Sequence, residues 1–251
     1  MYDSEAADDM PMADTGSTHM HVENLLFINP FSELCIHRKL AYNYTLQTLV
    51  AYYIIKYINR DLAEEFIVKT LILNGSPRKN GDTASLIEKI TEKIVGEYRI
   101  VDAYRCNISP CFDCRYCWEN SGCVINDEMQ EIYKYIQECD NIMIASPLYF
   151  SELTGKLLDV GSRLQTYFCA RFFRKEEPII KSKKGAIVLV GGGDGHIDTA
   201  YSTACTLLHH MNCYDIHEVI YSHNTNEKPA IDDENALLGL NSILDFFGNK
   251  E

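Results

Sequence analysis

The stretch Phe66-Ile67-Val68-Lys69-Thr70-Leu71-Ile72-Leu73-Asn74-Gly75-Ser76-Pro77-Arg78-Lys79-Asn80-Gly81-Asp82-Thr83 decides the fold. Its first eight residues form a strand that stops at Asn74-Gly75. From Thr83 to Glu97 the period changes to that of a helix, with Leu86, Ile87, Ile90 and Ile94 on one face. A strand feeding through a glycine-bounded turn into a helix begins a βαβ unit. The turn is also equipped for an anion. Free N–H groups and the macrodipole at a helix N-terminus favour negative charge. Ser76, Asn80 and Thr83 add hydrogen-bond donors, and Arg78 adds a forked cation. Neither a Walker loop nor a Gly-x-Gly-x-x-Gly fingerprint is present, so a monophosphate is the favoured anion. On composition alone an ordinary strand-to-helix turn stays open beside it.

The same alternation continues down the chain. Arg99–Tyr104 is a short second strand, and Asp127 starts a helix with Gln130 at capping-box spacing. Asn141–Ala145 is a third, buried strand, followed by a helix over Gly155–Cys169 and a charged insertion over Arg171–Lys183. Ala186–Val190 is a fourth strand, running into Gly191-Gly192-Gly193. A helix over Thr199–Met211, a fifth strand over His217–Tyr221 and a helix over Glu234–Phe247 close the chain. Five strands alternating with five helices predict an α/β doubly wound, five-stranded parallel sheet. Right-handed crossovers leave the flavodoxin-like order 2-1-3-4-5 as the leading topology. Ligands then sit at the carboxyl ends of the strands, on loops Gly75–Asp82, Ser146–Thr154 and Gly191–His196.

The chain divides near residue 66 into an N-terminal extension, 1–66, and the α/β domain, 67–251. Met1–His21 is acidic and without period, which predicts disorder. One amphipathic helix is expected over about Leu40–Arg60. Its apolar stretch, Leu46–Ile58, is too short for a span of roughly 20 residues. The acidic N-terminus is unlike a secretory signal, so a cytoplasmic protein with no membrane association is expected. A formal net charge of −13 argues against nucleic acid, which demands clustered Lys and Arg. Lys181-Ser182-Lys183-Lys184 is the densest basic run, and it leads into a strand.

The loop residues carry a resemblance. Asn74-Gly-Ser-Pro-Arg-Lys-Asn-Gly-Asp-Thr83 resembles the phosphate loop of the NADPH-dependent FMN reductase family, whose fold is flavodoxin-like. Ala145-Ser-Pro-Leu-Tyr-Phe150 is similar to the loop that this family lays along the isoalloxazine, and Gly191–Gly195 stands where the family meets the far side of the ring. The resemblance spans about Val68–Ser222. It implies that Ser76, Arg78, Asn80 and Thr83 hold the FMN phosphate. Pro147, Leu148, Tyr149 and Phe150 would border the ring, and Gly191, Gly192 and Gly193 would meet its pyrimidine edge. The residues alone allow plain core packing for Tyr149 and Phe150. The family usually has a Lys and an Asp-Arg pair in the helix after the second loop. Here Leu158 and Ser162 stand at the Lys and Asp positions and only Arg163 is kept, a departure expected to bear on packing or dimer contacts.

Cys111-x₂-Cys114-x₂-Cys117-x₅-Cys123 places four thiols within one loop. Such a run can wrap a compact cluster, and its spacing and position resemble those of iron–sulfur flavoproteins with a [4Fe–4S] cluster. Redox-active or free thiols fit the residues equally, and zinc, which prefers two separated Cys-x-x-Cys pairs, fits less well. Cys139, Cys169, Cys205 and Cys213 belong to predicted helices or their flanks and read as small core hydrophobes. His209-His210 cannot share one metal from a helix face, and His196 is more naturally a cap or surface residue than a flavin neighbour. No nucleophile–base pair stands out, as expected where a cofactor carries the chemistry.

The resemblance implies an FMN-dependent oxidoreductase that takes hydride from NAD(P)H and passes electrons to a quinone-like or other small acceptor, with a homodimer as the expected assembly. An iron–sulfur electron carrier reduced by a ferredoxin-like protein partner is the alternative. A non-enzymatic flavin- or thiol-based sensor is the third.

Overall fold

The computed structural model describes residues 67–248. The chain divides into two units, Met1–Leu62 and Ala63–Glu251, and the described residues lie in the second. The acidic leader and the helix expected over Leu40–Arg60 fall outside them.

Alternation along three buried strands builds two cores. In β1 (Lys69–Asn74), Leu71 and Leu73 face one side and Ile72 the other. In β3 (Asn141–Pro147), Ile142 and Ile144 share the first side, Met143 and Ala145 the second. In β4 (Lys183–Val190), Ile187 and Leu189 oppose Ala186, Val188 and Val190. Helices α1 (Asp82–Thr91) and α7 (Glu234–Gly248) cover one face through Leu86, Ile90, Leu240 and Ile243, while the one-turn α2 (Tyr116–Glu119) lies within the cysteine loop. The other face is covered by α3 (Met129–Glu138), α4 (Gly155–Ser162), α5 (Gln165–Cys169) and α6 (Asp198–His210). Each fully buried Leu or Ile contributes about 1.5–3 kcal/mol. With β2 (Glu97–Asp102) and β5 (Cys213–Ile216) the sheet runs β2-β1-β3-β4-β5, every pairing parallel, which is the flavodoxin-like order expected from the sequence.

The departures have local causes. The first helix ends at Thr91 rather than Glu97 because Gly96 turns the chain at φ +93°; a Cβ there would come within 2.1 Å of the Val68 carbonyl oxygen. The strand that follows therefore starts at Glu97, whose N–H donates to that same oxygen at 2.8 Å. The fifth strand begins at Cys213 and is split into β5 (Cys213–Ile216) and β6 (Ile220–Ser222), both parallel to β4. A register shift between Lys183 and Lys184 accompanies the break. The helix expected over Gly155–Cys169 divides at Arg163, where the bonds tighten to i→i−3 (Arg163 N–H to Val160 O, 3.1 Å; Leu164 N–H to Gly161 O, 3.0 Å). A π-helical turn, Ala170–Arg174, follows α5.

The lysines of the basic run Lys181–Lys184 are engaged within the fold. Lys183 is buried with its ammonium on the Lys181 carbonyl (2.7 Å), Lys181 pairs with Asp140 (2.9 Å), and Lys184 reaches the Phe246 carbonyl (3.0 Å). No helix among the described residues is long and apolar enough to cross a membrane.

Candidate functional site

A cleft of about 270 Å³ opens where β1, β3 and β4 end. Its first wall is the loop after β1. Ser76 is buried, with its N–H on Asn74 Oδ1 (2.9 Å) and its hydroxyl donating to the Arg78 carbonyl (3.0 Å). Gly75 is needed here for close approach. A Cβ would meet Ser146 Oγ at 2.8 Å and Leu157 at 2.9 Å, while Thr154 Oγ1 donates to the Gly75 carbonyl at 2.8 Å. Gly81 caps α1 without a side-chain bond, and Gly81, Asp82 and Thr83 at this helix start line the cleft. Arg78 is exposed, and its guanidinium has no hydrogen bond or ion pair among the described residues. Ser76, Arg78 and Thr83 line the cleft together, whereas Asn80 does not.

The second wall is Pro147-Leu148-Tyr149. Leu148 N–H is held by the Val190 carbonyl (2.8 Å). Tyr149 and Glu152 then exchange backbone bonds of 2.9 and 3.1 Å around a tight turn. Its central residues, Phe150 (φ +55°) and Ser151 (φ +62°), are both left-handed without being glycine. Such a turn stores strain of order 1–3 kcal/mol per residue. It is held by α6, through Ala200 N–H to Ser151 O (3.1 Å) and Thr203 Oγ1 to Glu152 (2.9 Å). One consequence corrects the sequence-based expectation. Phe150 points fully into solvent and does not border the cleft.

The third wall is the glycine loop, stitched to a polar loop after β6. Asn224, Thr225 and Asn226 donate their N–H groups to Gly193, Gly191 and Gly192 at 3.1–3.3 Å. Tyr221 Oη donates to the Gly195 carbonyl (2.9 Å), and partial burial beside Asp194 raises its pKa, so it stays a donor. Gly191 lies beneath Tyr221, where a Cβ would come within 2.6 Å of the hydroxyl, and so is covered rather than cleft-lining. Gly192 lines the cleft; Gly193 faces open space. Thr225 and Asn226 line it as well, and sequence reasoning passed over them. Their position just beyond the carboxyl end of an edge strand was the available signal. His196 is exposed and outside the cleft.

The cysteine loop forms a second feature. Cys111, Cys114, Cys117 and Cys123 all line one small cavity, of about 20 Å³, together with Arg163. That is room for one water, so anything larger requires the loop to spread. Among the described residues no three Cys, His, Asp or Glu side chains converge on a single-ion site. Asp113 (φ +53°) and Arg115 (φ +62°), both left-handed, flank exposed Cys114. Burial and the neighbouring Cys169 thiol push Cys117 up to about 12, which works against a reactive thiolate there. Cys139, Cys169 and Cys213 are buried core residues.

Beneath the loop lies a buried ion pair. Arg163, 1% exposed, gives Nη1 to Asp127 (2.6 Å) and to Ser109 O (2.9 Å), and Nη2 to Ile125 O (3.3 Å). Asp127 also accepts from Ser109 N–H and Met129 N–H, both at 3.0 Å. Gln130 does not complete a capping box; its amide reaches the Cys123 and Ile125 carbonyls instead. Ser162 accepts the Cys111 N–H (2.9 Å). Ser162 at the end of α4 and Arg163 just after it thus hold the cysteine loop, so of the two departures in this helix Ser162 has a contact of its own there.

Burial opposes the Asp127 charge, but Arg163 and the two N–H donors hold its pKa below the ordinary 3.8. Its stabilisation is therefore complete above that value and is lost as pH falls through the depressed one. Acid melts should show stability falling below about pH 4, with a shallower fall for Asp127→Asn; equal slopes for the two proteins would contradict this assignment.

With this geometry in place the chain can be compared with known proteins. A family model described as NADPH-dependent FMN reductase matches residues 68–227. The chain belongs to that family. Relatives within reach of the NADPH-dependent FMN reductase match include an iron–sulfur flavoprotein of Methanocaldococcus jannaschii, 31% identical over 93 residues, covering 36% of this chain and 48% of that protein. One from Methanosarcina thermophila is 28% identical over 123 residues, covering 48% and 61%. The chain thus spans 48% and 61% of these relatives' lengths. Among solved structures, RosB with a bound 8-demethyl-8-formylriboflavin-5′-phosphate aligns with TM-score 0.56 at 18% identity, covering 71% of this chain and 76% of that one. The NAD(P)H:quinone oxidoreductase of Methanothermobacter marburgensis aligns with TM-score 0.53 at 17% identity, covering 74% and 100%. These two likenesses concern the fold.

Proposed function

We propose that this member of the family is an FMN-dependent NAD(P)H oxidoreductase acting on a quinone-like or other small acceptor, as a cytoplasmic homodimer. The observation that carries it is the three-walled cleft, with Arg78, whose guanidinium has no partner among the described residues, and a helix N-terminus at one end and Leu148, Tyr149 and glycine backbone at the other. The donor set fits FMN. A phosphate needs a cation and N–H donors, and a flat ring needs apolar walls with backbone groups at its edge. When bound, FMN supplies the chemistry: it accepts a hydride from a nicotinamide and releases the electrons to an acceptor.

The protein's own part is orientation. Ser76, Arg78 and Thr83 bind the phosphate. Pro147, Leu148 and Tyr149 pack along one side of the ring, and the Gly192 backbone with Thr225 and Asn226 meets its polar edge. The Thr225 and Asn226 N–H groups are committed to the Gly191 and Gly192 carbonyls, which would fix this wall before a flavin binds.

An iron–sulfur electron carrier served by a ferredoxin-like partner is the second reading, favoured by the four thiols around one cavity. Cys111, Cys114, Cys117 and Cys123 would hold a [4Fe–4S] cluster, whose ligand sulfurs stand farther apart than those of a single ion. The donor set fits, once the loop spreads.

Anaerobic stopped-flow mixing of the flavin-loaded chain with NADH and with NADPH tests the choice. Flavin bleaching by either nicotinamide, with turnover on a quinone, is the expected result. Bleaching by a reduced ferredoxin alone would favour the carrier, and bound flavin that no donor reduces would leave a sensor.

A further inference from the structure

Two permanent cations line the cysteine cavity, exposed Arg115 and buried Arg163, and the placement of Arg163 is unusual. Arg163 has a side chain withdrawn from solvent, lines the cavity, and retains a buried Nε–H with no acceptor among the described residues. A buried, unpaired donor costs about 1–3 kcal/mol, more when charged, so such groups mark strain or an absent partner. Its other two nitrogens each have partners, and to a purpose. Nη1 takes the Ser109 carbonyl and Nη2 the Ile125 carbonyl, the two residues that bracket the loop carrying all four thiols. Asp127 locks the fork by accepting both Arg163 and the Ser109 N–H. Ser162 fixes the Cys111 N–H from the same helix end. One guanidinium therefore closes the base of the loop, and the loop above it can spread without the base opening.

We propose that Arg163 is the positioning residue of this cavity, presetting Cys111 and Cys123 and presenting a positive charge and a spare N–H donor to a sulfur-ligated, negatively charged group held by the thiols. This rests on the cluster reading of the loop. Hydrogen bonds and positive charge near such a cluster favour its reduced form and raise its potential. Asp127 does not line the cavity, so the ion pair is a dipole with its positive end towards the thiols; the other charges on the lining, Asp113 and Arg115, are exposed and pair with each other at 3.6 Å.

The test uses the full chain, purified without oxygen and reconstituted with ferrous iron and sulfide. Wild type is compared with the double variant Asp127→Asn/Arg163→Gln, which exchanges the ion pair for a neutral amide pair and strands no buried charge. Arg163→Lys is the conservative control, keeping the charge but losing the fork. Iron per chain, bound flavin and the cluster midpoint potential are measured on each, with thermal melts to verify folding.

The expected result is a folded double variant with normal flavin whose cluster is held less well or is harder to reduce. At a fixed potential the reduced-to-oxidised ratio should drop about tenfold, equivalent to about 59 mV for a one-electron couple. Arg163→Lys should restore part of the potential. Iron in both proteins at the same potential overturns the role of Arg163 while leaving the cluster reading intact. Wild type that takes up no iron removes the cluster reading, and the role of Arg163 falls with it.

Discussion

Arg78→Ala should yield a chain that folds as wild type does but purifies mostly without FMN. Arg78 is exposed and its guanidinium has no partner among the described residues, so its removal breaks no hydrogen bond or ion pair among them. The loss falls on the phosphate. A charge-assisted hydrogen bond contributes about 1.5–3 kcal/mol, and each 1.4 kcal/mol is tenfold in affinity, so FMN should bind roughly ten- to a hundredfold more weakly. Isothermal titration of apoprotein with FMN and with riboflavin reads the effect. Riboflavin, which lacks the phosphate, should bind both proteins alike. An equal loss for both ligands would mean that Arg78 shapes the cleft rather than holding the phosphate.

Arg163→Met should be the most damaging single change to stability. It leaves the Asp127 carboxylate, 7% exposed, without its cation, and frees the Ser109 and Ile125 carbonyls. Breaking a buried pair from one side costs about 3–5 kcal/mol, because the surviving charge is uncompensated. That is a large share of the 5–15 kcal/mol by which domains are stable. Urea melts should therefore show a midpoint far below wild type for Arg163→Met and one much closer to it for Asp127→Asn/Arg163→Gln. If the two variants lose the same stability, the cost lies in packing and not in the stranded charge.

Strands buried on both faces announce themselves. β1, β3 and β4 are nearly unbroken apolar runs, and with helical periods between them they lead to the parallel sheet and to the three loops at its carboxyl edge. Edges are less plain. Cys213-Tyr214-Asp215-Ile216 pairs with β4 alone and exposes Tyr214 and Asp215, so it carries no apolar pattern to distinguish it from a loop. Ile94 prolonged the helical spacing past the real end of α1, which Gly96 and the Val68 carbonyl decide.

The site divides in the same way. Ser76, Arg78 and Thr83 are local to one turn and could be read together. Thr225 and Asn226 reach the cleft only because their N–H groups bond Gly191 and Gly192 across the fold. Asp127 and Arg163 stand 36 residues apart and meet under a loop whose cysteines drew attention away from them. Phe150 resembled a ring neighbour by sequence, yet two consecutive left-handed residues turn it outward.

The central claim is that the three-walled cleft binds FMN. The most direct measurement is the visible absorption spectrum of the purified chain before and after FMN is added and the excess removed by gel filtration. The geometry predicts the two bands of oxidised flavin at one FMN per chain, lost on Arg78→Ala. A colourless protein after incubation with FMN would contradict the account.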